Sequence, residues 1–193
     1  MSRTSTASPA GGMELTTGAE PIIAWRAWAL TGTRGGDDLM LRPVARRSRP
    51  WKPRQPAEAA CSLARFHRAP HAGCTCGLHG THAVEILRKT KCPAVLGRVA
   101  LWGTVIEHEY GYRARFAYPQ RTRLICQFCF WMTGARRAAP AHVGWFPRDV
   151  MMPMCDEHLA VARRNGVSPR LALPADEVAM RLRDTYAVDA LAV

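Results

Sequence analysis

The sequence predicts an α+β fold: a small, curved antiparallel sheet, a few short helices and two zinc-type sites. Three observations predict it. Cys126-Gln127-Phe128-Cys129 is followed, after twenty-five residues, by Cys155-Asp156-Glu157-His158. A second group (Cys61, His67, His71, Cys74, Cys76 and His79) falls within nineteen residues. Residues 94–108 are apolar on both parities, as a buried central strand is, and carry Gly97 and Gly103 where a closed or strongly coiled sheet would bend.

Length and charge bound the reading. A chain of 193 residues fits one domain, or a domain with a satellite, and can bury a real core. Seven cysteines, an odd number, argue against a fully paired disulfide framework. The polar, small-residue N-terminus does not read as a secretory signal, and no run reaches the length of a membrane span. A cytoplasmic protein with reduced, metal-bound thiols and no membrane partner is the expectation. The formal charge is +12, and of 27 basic residues only Lys52, Lys89 and Lys91 are lysines. Genome composition accounts for arginine in place of lysine but not for the missing acids. Residues 1–60 carry nine basic and five acidic side chains, residues 61–125 ten and three, and residues 126–193 eight and seven. The positive field therefore belongs to the first two thirds.

In chain order, residues 1–19 lack periodicity and read as a disordered tail. Residues 20–125 form a β-rich half with the first Cys/His group. Residues 126–193 form a zinc half with C-terminal helices, the two halves making one domain. Residues 22–30 and 39–44 are β-prone and flank a Gly/Asp-rich loop, which predicts a hairpin. Residues 42–54 hold Arg46, Arg47, Arg49, Lys52 and Arg54 around Trp51, with no acid and several prolines. Prolines deny this arm a helix or a central strand. It reads either as a phosphate-binding arm in which Trp51 stacks on a base, or as a solvated connection whose Trp51 tucks into the core.

Residues 81–91 predict a short helix ended before Pro93, with lone Cys92 a small core residue. After the strand at 94–108, Glu109-Tyr110-Gly111 turns the chain. The return strand places Tyr112, Ala114, Phe116 and Tyr118 on one face and Arg113 and Arg115 on the other. Those arginines can clasp a phosphate beside the aromatics, although pairing with Glu107 or Glu109 across the hairpin is the plainer account. His108 beside Glu107 has no nucleophile placed near it. Residues 133–154 read as irregular. A helix opens at Cys155, carries Asp156 and Glu157 in its first turn, and stops at Gly166. A last helix over 175–186 bears a Val178, Leu182, Tyr186 stripe that should pack on the sheet.

The chemistry lies in the two groups. Cys126, Cys129, Cys155 and His158 supply three thiolates and an imidazole, which fill a zinc tetrahedron and leave no open position. The first pair suits a tight turn, the second the first turn of a helix, where i and i+3 share a face. A pair, an intervening loop or hairpin and a helix with the second pair is the layout of a treble-clef zinc finger. A redox dithiol would need a βαβ context that is not visible. In the earlier group Cys61, Cys74 and Cys76 need one histidine, and His67 and His71 compete for the place. Three ligands and a water there would make the zinc chemically available.

One resemblance adds to this. Cys61, His67-x-Ala69-Pro70 and Cys74-x-Cys76-Gly77 precede Val99-x-Leu101-Trp102-Gly103-x-Val105-x-Glu107-His108 and Gly111-Tyr112-Arg113-Ala114-x-x-Ala117-Tyr118-Pro119. This string resembles a group of uncharacterised actinobacterial proteins found in chromosomes and in phages or other mobile elements. It covers roughly residues 25–119. The resemblance implies His67, seven residues before Cys-x-Cys, as the fourth ligand. The group's Ile-Tyr-Ala is Leu78-His79-Gly80 here, so His79 is not carried over, and the group supplies no activity.

The functional expectation is a zinc-binding, nucleic-acid-associated module without its own catalysis, contacting phosphates through Arg46, Arg47, Arg49, Lys52, Arg54, Arg113 and Arg115 and stacking through Trp51. The alternatives are a protein–protein adaptor using the treble clef and the aromatics around Trp145, and a metal-dependent hydrolase or nuclease if the first site is open.

Overall fold

The computed structural model describes residues 15–16, 20–33, 38–44, 49–63 and 66–192. Its strands are β1 (Leu15–Thr16), β2 (Ile22–Thr31), β3 (Met40–Pro43), β4 (Ala57–Glu58), β5 (Leu78–Thr81) and β6 (Val95–His108). They continue as β7 (Gly111–Leu124), β8 (His142–Phe146), β9 (Val150–Met154), β10 (Leu171–Pro174) and β11 (Asp189–Ala190). The helices are α1 (Gln127–Thr133), α2 (Asp156–Arg164) and α3 (Ala175–Tyr186).

The doubly apolar stretch is the scaffold, as its composition predicts. β6 and β7 form a long antiparallel hairpin. β2 lines the free edge of β6 from Ile22 opposite Leu101 to Trp28 opposite Val95. β5 lines the free edge of β7 and meets β2 at Thr81 opposite Trp25. The pairings β2–β6–β7–β5–β2 therefore close a ring, which removes the edges that an open four-stranded sheet would expose.

A ring this small must bend sharply. Its register shifts between Arg98 and Val99 and again between Trp102 and Val105. Gly103 lies inside the second irregularity at φ 77, a left-handed conformation open to glycine. At Gly97 a side chain would meet the Arg121 carbonyl oxygen at 2.3 Å, because two backbones pass closely beside the first shift. The two glycines are the bends their positions predict. The shifts also break the expected alternation of β7: Ala114 and Ala117 both join the core, while Phe116 stands opposite Trp102.

β2 is shared between two layers. Beyond Trp28 its last residues leave β6 and pair with Met40–Pro43 of β3 on one edge and with β9 on the other, Leu30 opposite Met151. β9, β8 and β10 continue as an antiparallel meander. The predicted β2–β3 hairpin is present. The stretch 133–154, expected to be irregular, instead holds this second hairpin, in which Val143 and Trp145 stand opposite Pro153 and Met151 and are buried with them. Residues 84–89 form a 3₁₀ helix, and residue 81 belongs to β5. Of the expected tail, residues 15–16 are a two-residue strand against Ile106 and Val105, and the remainder lies outside the described residues.

One core joins both parts of the chain. Trp28, Trp51, Val99 and Leu101 pack with Val143, Val178, Leu182 and Tyr186. The α3 stripe is buried as predicted. α2 ends in a Schellman motif, with Gly166 N–H donating to Arg163 O (3.1 Å) and Val167 N–H to Ala162 O (2.9 Å). Among the described residues no helix is long and apolar enough to cross a membrane.

Candidate metal centres

The chain gathers Cys61, His67, Cys74 and Cys76 into one group and Cys126, Cys129, Cys155 and His158 into another, the ligand atoms of each lying within 4.8 Å of one another. All seven cysteines are free thiols.

Both pairs of the second group open a helix. Cys126 caps α1 and Cys129 sits in its first turn; Cys155 caps α2 and His158 sits in its first turn. The tight turn expected for the first pair is thus a helix start, because Cys126 O accepts from Phe130 N–H (2.9 Å). Cys126 Sγ and Cys129 Sγ lie 3.6 and 3.5 Å from His158 Nδ1, Cys129 Sγ lies 3.6 Å from Cys155 Sγ, and Cys155 Sγ lies 3.0 Å from His158 Nδ1. With metal–sulfur bonds of about 2.3 Å, a tetrahedron has sulfur–sulfur edges of about 3.7 Å and slightly shorter sulfur–nitrogen edges. Three of the four separations match such edges, and 3.6 Å is far beyond a disulfide bond. Phe128 stacks on the His158 ring at 5.1 Å, and His142 Nε2 contacts Asp156 Oδ1 at 2.9 Å, tying β8 to α2.

Without a cation this donor set is unfavourable to charge. Burial, then the Cys155 and Cys126 thiols, push Cys129 up to about 12. A divalent ion reverses that sign by holding the sulfurs as thiolates. Cys76, also raised by burial and its neighbours, is in the same position in the first group.

The first group lies on the loop between β4 and β5. Cys61 Sγ is 3.8 Å from Cys74 Sγ, and His67 Nε2 is 3.3 Å from Cys76 Sγ. His67 takes the contested place. His71 stacks on it at 4.6 Å and uses Nδ1 to accept from Gly73 N–H (3.2 Å). His79 stands apart, its Nε2 3.2 Å from Thr75 O, and burial together with nearby Arg26 pushes it down to about 4, so it stays neutral. Cys92, expected in the core, is exposed at φ 49 and joins neither group. Each group offers four protein donors. A catalytic first site needed a place for water, and four donors fill a tetrahedron.

The expected phosphate-binding residues divide. Arg49, Lys52 and Arg54 are exposed, while Arg46 and Arg47 lie outside the described residues. Trp51 is not available to a base. It is 5% exposed, set edge-on to Trp28 at 5.6 Å, with the Arg26 guanidinium 4.8 Å from its ring centre. A Trp between prolines finds more apolar area in the core than in solvent, so the second reading of the arm holds. Arg113 is also buried, at 7% exposure. Its guanidinium donates to the carbonyls of Cys74, Cys76 (3.2 Å) and His71 (3.4 Å), and so fixes the loop that carries the first group. Arg115 pairs with Glu58 at 3.0 Å, an acid brought alongside by β4, and neither Glu107 nor Glu109 serves it. Glu107 instead faces His82 at 3.6 Å. Trp145, expected among exposed aromatics, is 7% exposed.

Sequence reasoning missed the Arg113 clamp, since nothing local distinguishes an arginine that turns toward loop carbonyls from one that faces solvent. Replacing Arg113 with Met is expected to release the metal of the first group alone, lowering the metal count by about one per chain. Elemental analysis after dialysis checks this, and an unchanged count rejects the clamp.

The fold and its groups define a class: an α+β protein with a small closed sheet and two Cys₃His groups able to hold metal ions. Compared with family models, curated proteins and solved structures, the chain matches none.

Proposed function

We propose that the protein is a zinc-stapled module that binds nucleic acid through the outer face of its closed sheet, without chemistry of its own. The zinc assignment rests on the donor set: three sulfurs and one imidazole nitrogen, with tetrahedral edges, suit zinc and leave no reactive position. The metals act as staples. They pin the 61–76 loop and the start of α1 against α2, where few apolar contacts are made.

One observation carries the nucleic-acid reading. Trp102 and Phe116, directly opposite each other on β6 and β7, stack at 6.1 Å on the side of the sheet that also bears Arg98. Arg54 and Arg121 flank this strip. Arg54, Arg98 and Arg121 have no ion pair among the described residues, on a chain of formal charge +12. Arginines without ion pairs beside part-exposed aromatic rings match a phosphate backbone with bases to stack. The face is therefore assigned to Arg54, Arg98 and Arg121, with Arg49 and Lys52 on the neighbouring arm, in place of Trp51 and Arg113.

Five such cations predict a plot of log affinity against log salt with a slope of roughly −2 to −4. Titrating a labelled oligonucleotide at several ionic strengths measures it. A flat plot, or no binding at low salt, rejects the reading.

A second reading has one observation in its favour. A groove of about 790 Å³ between the β8–β9 hairpin and α2 is lined by Phe128, Phe146, Met152, Val161 and Val167. An adaptor would seat an apolar segment of a partner there. Capture of one protein that survives nuclease and high salt, and is lost on Val161→Asp, supports this reading over the first.

A further inference from the structure

We infer that the outer face holds a slot for an unstacked base, so that single-stranded nucleic acid, and not duplex, is the ligand. The inference rests on the nucleic-acid reading above and narrows it.

The slot is a groove of about 480 Å³ lined by Ala100, Trp102, Tyr118, Gln120, Arg54 and Tyr186. Cross-strand pairing builds it. Ala100 stands opposite Tyr118, and Trp102 opposite Phe116, so the four side chains share one face. Ile23, opposite Ala100 on β2, is 38% exposed, so solvent reaches the rim of this face, while Ala100 lies at its covered floor at 5%. Alanine between two aromatic residues leaves a recess whose floor is one methyl group and whose walls are rings.

The walls are held in place. Tyr118 donates its hydroxyl proton to Tyr186 O (2.6 Å) and accepts from Arg54 N–H (2.9 Å). Phe116 backs Trp102, and the Arg115 guanidinium lies 4.8 Å from the centre of the Phe116 ring. Trp102 therefore presents a supported ring to the recess, a stacking platform with little rotamer entropy to lose.

The rim supplies the remaining recognition. Gln120 is exposed and offers one amide acceptor and two donors to the edge of a base. Arg54 spends one donor on Asp184 O (3.0 Å) and keeps the others for a phosphate. Arg98 and Arg121 lie further along the same side of the hairpin, opposite each other in register. Glu58 neutralises Arg115, so the positive path runs through Arg54, Arg98 and Arg121, the last with Asp189 beside it in the β7–β11 ladder. In a duplex the faces of the bases are hidden by their neighbours, and a recess between rings has nothing to receive.

Anisotropy titration with an oligothymidylate of roughly 12 nucleotides, and with a duplex of equal length, tests the inference at low salt. The single strand is expected to bind more tightly than the duplex. Trp102→Ala is expected to weaken it by about tenfold or more, the loss of one stacked base, and Trp102→Phe to restore part of the affinity. Should Trp102→Ala fold poorly, Gln120→Glu at the exposed rim replaces it. That change is expected to weaken single-strand binding several-fold more than the equally charged Asn165→Asp on α2. Duplex binding as tight as single-strand binding, or Gln120→Glu no worse than Asn165→Asp, overturns the slot while leaving a basic binding face. Failure of both oligonucleotides to bind rejects the broader reading, and the slot with it.

Discussion

Replacing Cys155 with Ser is expected to halve the metal content and to lower the thermal midpoint sharply. The hydroxyl of serine does not ionise near neutrality, so the second group is left with two sulfurs and a nitrogen. Structural zinc contributes about 10–16 kcal/mol to the folding of small metal-binding peptides near neutral pH. Even about a third of that, 4 kcal/mol, moves the midpoint of a chain this size by roughly 8–16 °C. The N-terminal parts of α1 and α2 meet chiefly through the ligands. Cys126 is fully buried, whereas Phe128, Cys129, Cys155 and His158 are only partly so.

Acid should reproduce the effect. With metal bound the thiols are deprotonated, whereas thiols of an unfolded chain titrate near pH 8.5 (about the free-cysteine value). The metal-bound fold therefore holds fewer protons than the unfolded chain, and its stabilisation is lost as pH falls. Circular dichroism melts of Cys155→Ser, and of the parent protein along an acid series, test both expectations. A variant that keeps two metals per chain and an unchanged midpoint contradicts them.

Truncating Tyr186 to Ala is expected to cost about 3–5 kcal/mol, and Tyr186→Phe about 1–3 kcal/mol. Tyr186 ends the α3 stripe, is wholly buried, and its hydroxyl joins two distant segments. Leu41 N–H donates to it at 2.9 Å, and it donates to Trp51 O at 2.6 Å. Burial pushes the hydroxyl up to about 12, so it keeps the proton that it gives to Trp51. Phenylalanine fills the space and leaves one buried N–H and one carbonyl short of a partner; alanine adds a cavity beside Trp51. Urea unfolding should show the two variants in that order with an unchanged slope, and tryptophan fluorescence should shift to the red in Tyr186→Ala. A Tyr186→Phe protein as stable as the parent would show that the hydroxyl does not hold the 49–54 arm.

How much of this was readable follows from how local each cause is. The ligands are legible because a metal site needs particular side chains at short spacings, and Cys126 to Cys129 and Cys155 to His158 announce both. The β6–β7 hairpin and the α3 stripe are legible through apolar periodicity, and Gly97 and Gly103 mark the bends correctly. The β8–β9 hairpin was hidden because Pro147, Pro153 and Gly144 interrupt a pattern that tertiary burial of Val143 and Met151 completes. Arg113 looked like a surface residue, and Trp51 could not be placed, because their partners, the carbonyls of Cys74 and Cys76 and the ring of Trp28, lie thirty-nine, thirty-seven and twenty-three positions away. The Trp102–Phe116 strip was half legible: the aromatics were visible, but the register shift that sets Phe116 opposite Trp102 is a property of the closed ring.

X-ray absorption at the zinc edge, on protein purified without added metal, measures the central claim most directly. Two zinc ions per chain are predicted, each bound by three sulfurs at about 2.3 Å and one nitrogen at about 2.0–2.1 Å. A spectrum dominated by oxygen ligands, or a chain that holds no zinc while keeping its fold, would contradict it.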